Sequence, residues 1–128
     1  VIAKHVARAT KAANNSTFKY KLGAVIVKSG RILSCANNKV GEHSQHVHFP
    51  FPGSIHAEQS AIIKLLQRRE LNSLIGSTMY VSRITNKGET AMAKPCQHCL
   101  EAIKAVGIKR VIYTSGPNST EILNIRNM

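Results

Sequence analysis

Two short stretches, far apart in the chain, carry side chains of complementary chemistry. Ser54-Ile55-His56-Ala57-Glu58 holds an imidazole and a carboxylate, and Lys94-Pro95-Cys96-Gln97-His98-Cys99 holds two thiols in a Cys-x-x-Cys. Each stands where an apolar helical periodicity begins, so each reads as a helix start. If the two stretches share one ion, the fold must set two helix beginnings against each other.

His56, Cys96 and Cys99 are nitrogen and sulfur ligands of the kinds zinc prefers. Three protein ligands leave the fourth tetrahedral position open, which is the catalytic arrangement rather than the structural one. Cys96 and Cys99, three apart, share a face in the first turn of their helix. Helix amides and the positive dipole end favour the thiolate there. His56 and Glu58, two apart, diverge within a helix. At an N-terminal turn side chains lean back past the helix end, so both can converge beyond it. Zinc with an open position lowers the pKa of its water to about 7, and Glu58 is placed to handle that water's protons. A Cys-x-x-Cys alone also fits a structural half-site or a redox pair. A structural knuckle normally adds a second Cys-x-x-Cys or a histidine pair, and this sequence has neither. The rival that stays open is a non-catalytic, zinc-stabilised binding module. Glu58 separates the two, because a purely structural site has no use for an unligated carboxylate.

The remaining periodicities fill in the frame. Ile2, Val6, Ala9 and Ala13 fall on one face of residues 1–14, with Lys4, Arg8 and Lys11 on another, which predicts an amphipathic helix ended by Asn14-Asn15-Ser16. Two β-rich runs, 23–27 and 31–35, flank Ser29-Gly30 and predict a tight hairpin. Cys35 closes the second run and reads as a small buried hydrophobe. Residues 37–54 lack periodicity and form a loop long enough to suggest function. His43, His46 and His48 there hint at a second metal, but only Glu42 joins them. Phe49 and Phe51 fit either ligand stacking or anchoring of the loop. A second helix is expected over 55–69, a strand over 78–82 and a turn over 86–89. A third helix follows, with Pro95 at its first position and Gly107 at its stop. A strand over 110–114 and a short fifth over 121–125 complete the order. That order calls for a mixed sheet with helices on both faces.

The chain has 128 residues and three cysteines. The length suits a single domain, 1–128, whose core needs no disulfides. The odd cysteine count with a Cys-x-x-Cys points to a metal site in a reducing, cytoplasmic compartment. No apolar run reaches membrane-spanning length and the start lacks a signal-peptide pattern, so no membrane partner is expected. Net charge is +12, with 18 Lys and Arg against six acids, all Glu. Such a field attracts nucleotides or nucleic acid, or simply solubilises the surface; charge alone does not choose.

The His-x-Glu with Pro-Cys-x-x-Cys is the pattern of zinc-dependent nucleobase deaminases. The chain resembles the cytidine/deoxycytidylate deaminase superfamily over Leu22–Asn37, Ile55–Ile63, Thr78–Ser82 and Pro95–Thr114. The resemblance implies a three-layer α/β/α fold with a mixed sheet of about five strands. It implies one catalytic Zn²⁺ on His56, Cys96 and Cys99, with Glu58 as proton shuttle. It also implies Asn37 on the substrate's sugar, the main chain at Ala57 against the base, and a homo-oligomer. The implied activity is hydrolytic deamination of a nucleoside or nucleotide, with a cytosine-type base expected from the compact architecture. The alternatives are a nucleic-acid-editing cytidine or adenosine deaminase, motivated by the charge, and a guanine-type purine deaminase. Small tetrameric cytidine deaminases usually carry cysteine where this chain has His56, which points toward the deoxycytidylate, tRNA-adenosine and guanine branches. Typical deoxycytidylate deaminases run almost directly from the third strand into Pro-Cys, whereas Arg83–Lys94 intervenes here. tRNA adenosine deaminases usually finish with a longer helix than the fourteen residues after Thr114 allow.

Overall fold

The computed structural model describes residues 2–16, 21–38 and 56–125. Helix α1 (Ile2–Asn14) leads into strands β1 (Lys21–Lys28) and β2 (Arg31–Asn37). Helix α2 (Ala57–Gln67) and the short α3 (Leu71–Leu74) precede β3 (Thr78–Ile84) and β4 (Thr90–Ala91). Helix α4 (Gln97–Ala105) then connects to β5 (Arg110–Gly116) and β6 (Ser119–Asn124). The strand order is β2-β1-β3-β5-β6, with β4 pairing β3 outside this path. β3 and β5 run parallel while the other pairs are antiparallel, so the sheet is mixed as expected.

The continuous apolar run of β1 is buried on both faces, as a strand between two helical layers must be. Ala24 and Ile26 join the larger core with Ile62, Leu65, Met79 and Ile103, on the side of α2 and α4. Val25 and Val27 point the other way and pack with Ala9, Tyr80 and Ile112 under α1. The alternation is the two-residue period of a strand applied to a three-layer fold. α1 lies so close to β1 that a Cβ on Gly23 would come within 2.1 Å of Ala9 O and 2.6 Å of Ala13 N. Only glycine fits beneath the small residues of this helix. The buried stripe of α1 is His5, Ala9, Ala12 and Ala13, with Val6 half-buried, a slightly rotated version of the expected face.

The β1–β2 turn has positive φ at both Ser29 and Gly30, the type I′ geometry that matches strand twist. Leu33 is the extra residue of a bulge, since Ile26 pairs with Ser34 and Val27 with Ile32. Side chains of α2 tie the helix to this edge strand. Ser34 Oγ donates to Ala61 O at 2.9 Å, Lys64 Nζ to Cys35 O at 2.6 Å, and Arg68 Nη1 to Leu33 O at 3.0 Å. The two cations thereby occupy carbonyls of a sheet edge that could otherwise recruit another strand.

Three elements depart from the sequence expectation. α2 is shorter than 55–69, because His56 caps it and the chain turns at Arg68 and Arg69. The stretch expected as a bare turn after β3 is a hairpin, in which Arg83 and Ile84 pair with Ala91 and Thr90. The short strand at the end begins at Ser119, because Pro117 and Asn118 make a tight turn that returns it along β5. Among the described residues no helix is long and apolar enough to cross a membrane.

Candidate active site

His56 and Cys96 hold equivalent places, each the N-cap of its helix. Both backbones are extended, with φ −68° and ψ 151° at His56 and φ −72° and ψ 169° at Cys96. In each case the cap carbonyl accepts the first helical bond, from Ser60 N at 2.9 Å and from Leu100 N at 2.9 Å. Pro95 is therefore not the first residue of α4 as expected; it is buried one place before the cap. Its fixed φ helps hold the chain extended on entry. Glu58 is the second residue of α2, and Cys99 is the third of α4.

The ligand atoms of His56, Cys96 and Cys99 all lie within 4.8 Å of one another. His56 Nδ1 is 3.4 Å from Cys99 Sγ and 3.9 Å from Cys96 Sγ. Zinc–sulfur bonds of about 2.3 Å and zinc–nitrogen bonds of about 2.0 Å at tetrahedral angles require a nitrogen–sulfur spacing of about 3.5 Å. The two distances bracket it, so the imidazole stands at the spacing from each sulfur that a shared zinc requires.

The electrostatics call for a cation at the same point. Burial pushes the Cys99 thiol far up, and the adjacent Glu58 charge and Cys96 push it the same way. Burial lowers His56, which keeps its ring neutral and able to ligate. Glu58 is 4% exposed. Burial raises its carboxyl to about 7, against smaller opposing effects of a backbone hydrogen bond and of Cys99. A divalent ion would offset the cost of a buried thiolate and favour the ionised carboxyl. A neutral imidazole, two sulfurs and a buried carboxyl titrating near neutrality make a hydrolytic site.

The family model for the cytidine and deoxycytidylate deaminase zinc-binding region matches residues 2–115. The chain belongs to that family. It is a zinc-dependent hydrolase of the deaminase superfamily, acting on nucleosides or nucleotides. The dCMP deaminase of cyanophage S-TIM5 in apo form is similar at 25% identity, over 89% of this chain and 82% of that one, with a TM-score of 0.67. A cytidine deaminase from Burkholderia pseudomallei shares the fold at 16% identity, over 98% of this chain and 93% of that one, with a TM-score of 0.71. A diaminohydroxyphosphoribosylaminopyrimidine deaminase/reductase from Thermotoga maritima matches at 26% identity and a TM-score of 0.58, over 91% of this chain and 30% of that one. No curated protein sequence matches the chain.

Within this deaminase frame, Asn37 bonds to α1. It stands at the end of β2, and its Nδ2 donates to Ala12 O of α1 at 3.2 Å. The strand period puts it on the same face as Cys35, which packs under α1. The structure therefore gives Asn37 Nδ2 a partner in α1, while the sugar-holding role implied for it rests on the resemblance alone. Ala57, the first residue of α2, is fully buried beside His56. His98 is exposed on α4 and is not in the ligand cluster. Glu42, His43, His46, His48, Phe49 and Phe51 lie outside the described residues.

Two residues matter that the sequence reading passed over. Gln59, 1% exposed, accepts the His56 N–H on its Oε1 at 3.1 Å and so steadies the start of α2. The His-x-x-Gln spacing resembles a capping box and could have flagged it. Thr114, 1% exposed, gathers the approach to Pro95 and Cys96. Its Oγ1 donates to Ala91 O at 2.6 Å and accepts from Arg83 N at 3.2 Å, while its carbonyl accepts from Ala93 N at 2.8 Å. Nothing local in sequence marks a threonine for that task.

Proposed function

We propose that the chain replaces the exocyclic amine of a cytosine-type base with a carbonyl, on a nucleoside or nucleotide. His56, Cys96 and Cys99 hold the zinc, Glu58 carries the protons, and the main chain at Ala57 lies against the base. The observation that carries this reading is Glu58, a carboxyl 4% exposed and raised to about 7, at the same helix start as His56. Zinc, when bound, supplies Lewis-acid activation of a water molecule. Glu58 accepts a proton from the attacking water as its oxygen bonds to the carbon bearing the amine. It passes that proton to the ring nitrogen, then takes the proton of the new hydroxyl as it becomes the carbonyl and gives it to the amine, so the carbon–nitrogen bond breaks and ammonia leaves. A pKa near the working pH suits one group to both accepting and donating. Glu58 never leaves its place; only its proton moves.

Support for a cytosine-type base comes from the similarity to the cyanophage dCMP deaminase. A second reading takes its support from the comparable similarity to the Thermotoga maritima enzyme, whose substrate is a phosphoribosylaminopyrimidine. Ammonia release decides between them, measured on cytidine, deoxycytidine, their monophosphates, the phosphoribosylaminopyrimidine, adenosine, guanine and a single-stranded oligonucleotide. Turnover is expected on a cytidine or deoxycytidine compound. Turnover confined to the phosphoribosylaminopyrimidine or to a purine would replace the proposal, and none on the whole panel would sink it.

A further inference from the structure

The face of the sheet turned away from the zinc ligands carries a charge pattern that the reaction does not use. Residues 1–41 hold eight Lys and Arg and not one acid, since the first carboxylate is Glu42; the remaining 87 residues hold ten against six. The acid-free stretch builds α1, β1 and β2. α1 packs over β1 and β3 by way of Ala9, Val25 and Tyr80, opposite the layer of α2 and α4.

Lys4, Arg8 and Lys11 are all exposed on α1 at helical spacings of four and three, so they line one side of the helix. They span about 10 Å along its axis. None makes an ion pair with a described residue. The arrangement costs the helix stability twice over. Lys4 sits in the first turn, where the macrodipole disfavours a cation, and α1 holds no acid there to offset it. Lys4 and Arg8 are like charges at i, i+4, which repel. A bound polyanion removes both penalties. Among the described side chains of α1 the other exposed ones are Ala3, Ala7 and Asn14, none of them aromatic or a large aliphatic that would enter a bilayer. Duplex nucleic acid presents a phosphate every 3.4 Å along each strand, so about 10 Å spans three of them.

We propose that α1 docks the phosphate backbone of nucleic acid through Lys4, Arg8 and Lys11, without reading sequence, on the side of the sheet away from the zinc ligands. Docking and deamination then occupy different surfaces, and the docking does not depend on which base the enzyme deaminates.

The test compares the zinc-loaded protein with the triple variant Lys4→Gln, Arg8→Gln, Lys11→Gln, which stays polar and keeps good helix formers. The probe is a short random-sequence DNA duplex. Three phosphate contacts predict that wild-type affinity falls about 40-fold between 50 and 200 mM salt, with a log–log slope near −2.7. In the variant the slope should be shallower by about that amount, with an unchanged circular-dichroism spectrum and unchanged turnover of a free nucleoside. Equal slopes in the two proteins would overturn the proposal, as would no duplex binding by the wild type at 50 mM salt. Loss in the variant of binding to phosphatidylserine vesicles, with duplex binding intact, would assign the stripe to membranes instead and overturn it. A drop in kcat/KM for a nucleotide monophosphate, with duplex binding intact, would assign it to steering the small substrate and overturn it too.

Discussion

The starts of α2 and α4 solve one geometric problem with different chemistry. Each puts a ligand on its N-cap, His56 or Cys96, with extended backbone and the cap carbonyl taken by the fourth residue on. They part at the third helical position. In α4 that residue is Cys99, fully buried, whose sulfur faces His56 Nδ1 at 3.4 Å. In α2 it is Gln59, which reaches back to the His56 N–H. The second helical positions differ as well, exposed His98 in α4 and buried Glu58 in α2. α4 is thus a two-sulfur clamp, whereas α2 supplies one ligand and keeps a titrating carboxyl dry. The anchoring follows the same division. Both helices enter the larger core, α2 through Ile62 and Leu65 and α4 through Leu100 and Ile103, but α2 is in addition bonded to β2 through Ser34, Lys64 and Arg68. The helix that carries the buried carboxyl is thus the one held to the sheet edge by side-chain hydrogen bonds.

If α4 is the clamp, removing a sulfur from it should have the largest effect. Cys99→Ser is expected to lose zinc and all measurable turnover. The affinity loss should exceed the roughly 10–100-fold that follows removal of a group merely supporting a ligand. Metal content after dialysis against a chelator, with thermal unfolding alongside, checks this; a variant retaining stoichiometric zinc would remove Cys99 from the ligand set. Next in size, Glu58→Gln should keep the metal yet slow ammonia release by about 10²–10⁴-fold, the range of general acid–base catalysis. Loss of metal in that variant would erase the division between the two helix starts.

The same carboxyl makes a pH prediction for the metal-free protein. Burial raises Glu58 from 4.5 to about 7. Below pH 4.5 the group is protonated both folded and unfolded, and nothing is lost. As pH rises to about 7 the unfolded chain releases a proton that the folded chain retains, so stability falls. The gap corresponds to on the order of 3 kcal/mol. His56, lowered by burial, works in the opposite direction below 6.5, so the quantity to measure is wild type minus Glu58→Gln. Denaturant unfolding of the two apoproteins should diverge across this window, with wild type losing ground as pH rises. Parallel curves would mean that Glu58 is not desolvated. With zinc restored the difference should narrow, because the cation favours the ionised form.

Which parts of this comparison were legible in the sequence follows from the range of the forces involved. Local signals were sufficient where each residue's environment repeats along an element. The unbroken apolar run of β1 announced burial on both faces, and Ser29-Gly30 announced its turn. The clustering of His56, Cys96 and Cys99, with Glu58 at the same helix start, was legible because metal chemistry restricts residue type and spacing together. The bond of Asn37 to α1 was not legible, for the opposite reason. One position along a strand reverses a side chain's direction, and no local signal said which face of β2 would look toward α1. Thr114 was invisible because its partners Arg83, Ala91 and Ala93 come from other parts of the chain. Pro95 marked a helix start correctly but not to the residue, since its fixed φ serves an extended approach as well as a first turn.

Gln59 gives the smallest effect and the finest test of how α2 holds itself. Its Oε1 takes the His56 N–H at 3.1 Å, while its Nε2 is buried without a partner among the described residues. Gln59→Ala removes a cap hydrogen bond worth about 1 kcal/mol, which corresponds to about 4 °C in Tm for a chain of this size. Zinc content should hold and turnover should fall less than about tenfold, because an N-cap with correct φ and ψ is also fixed by its carbonyl bond to Ser60. Gln59→Glu keeps an acceptor at the same position but places a second carboxyl, in a site 1% exposed, one residue from Glu58. Like charges in a dry site raise each other's pKa. The limb of the kcat–pH profile set by Glu58 should therefore move upward in Gln59→Glu and stay in place in Gln59→Ala. A role confined to stability would move neither limb. Zinc loss in Gln59→Ala would mean that the imidazole depends on this one bond, making α2 as much a clamp as α4.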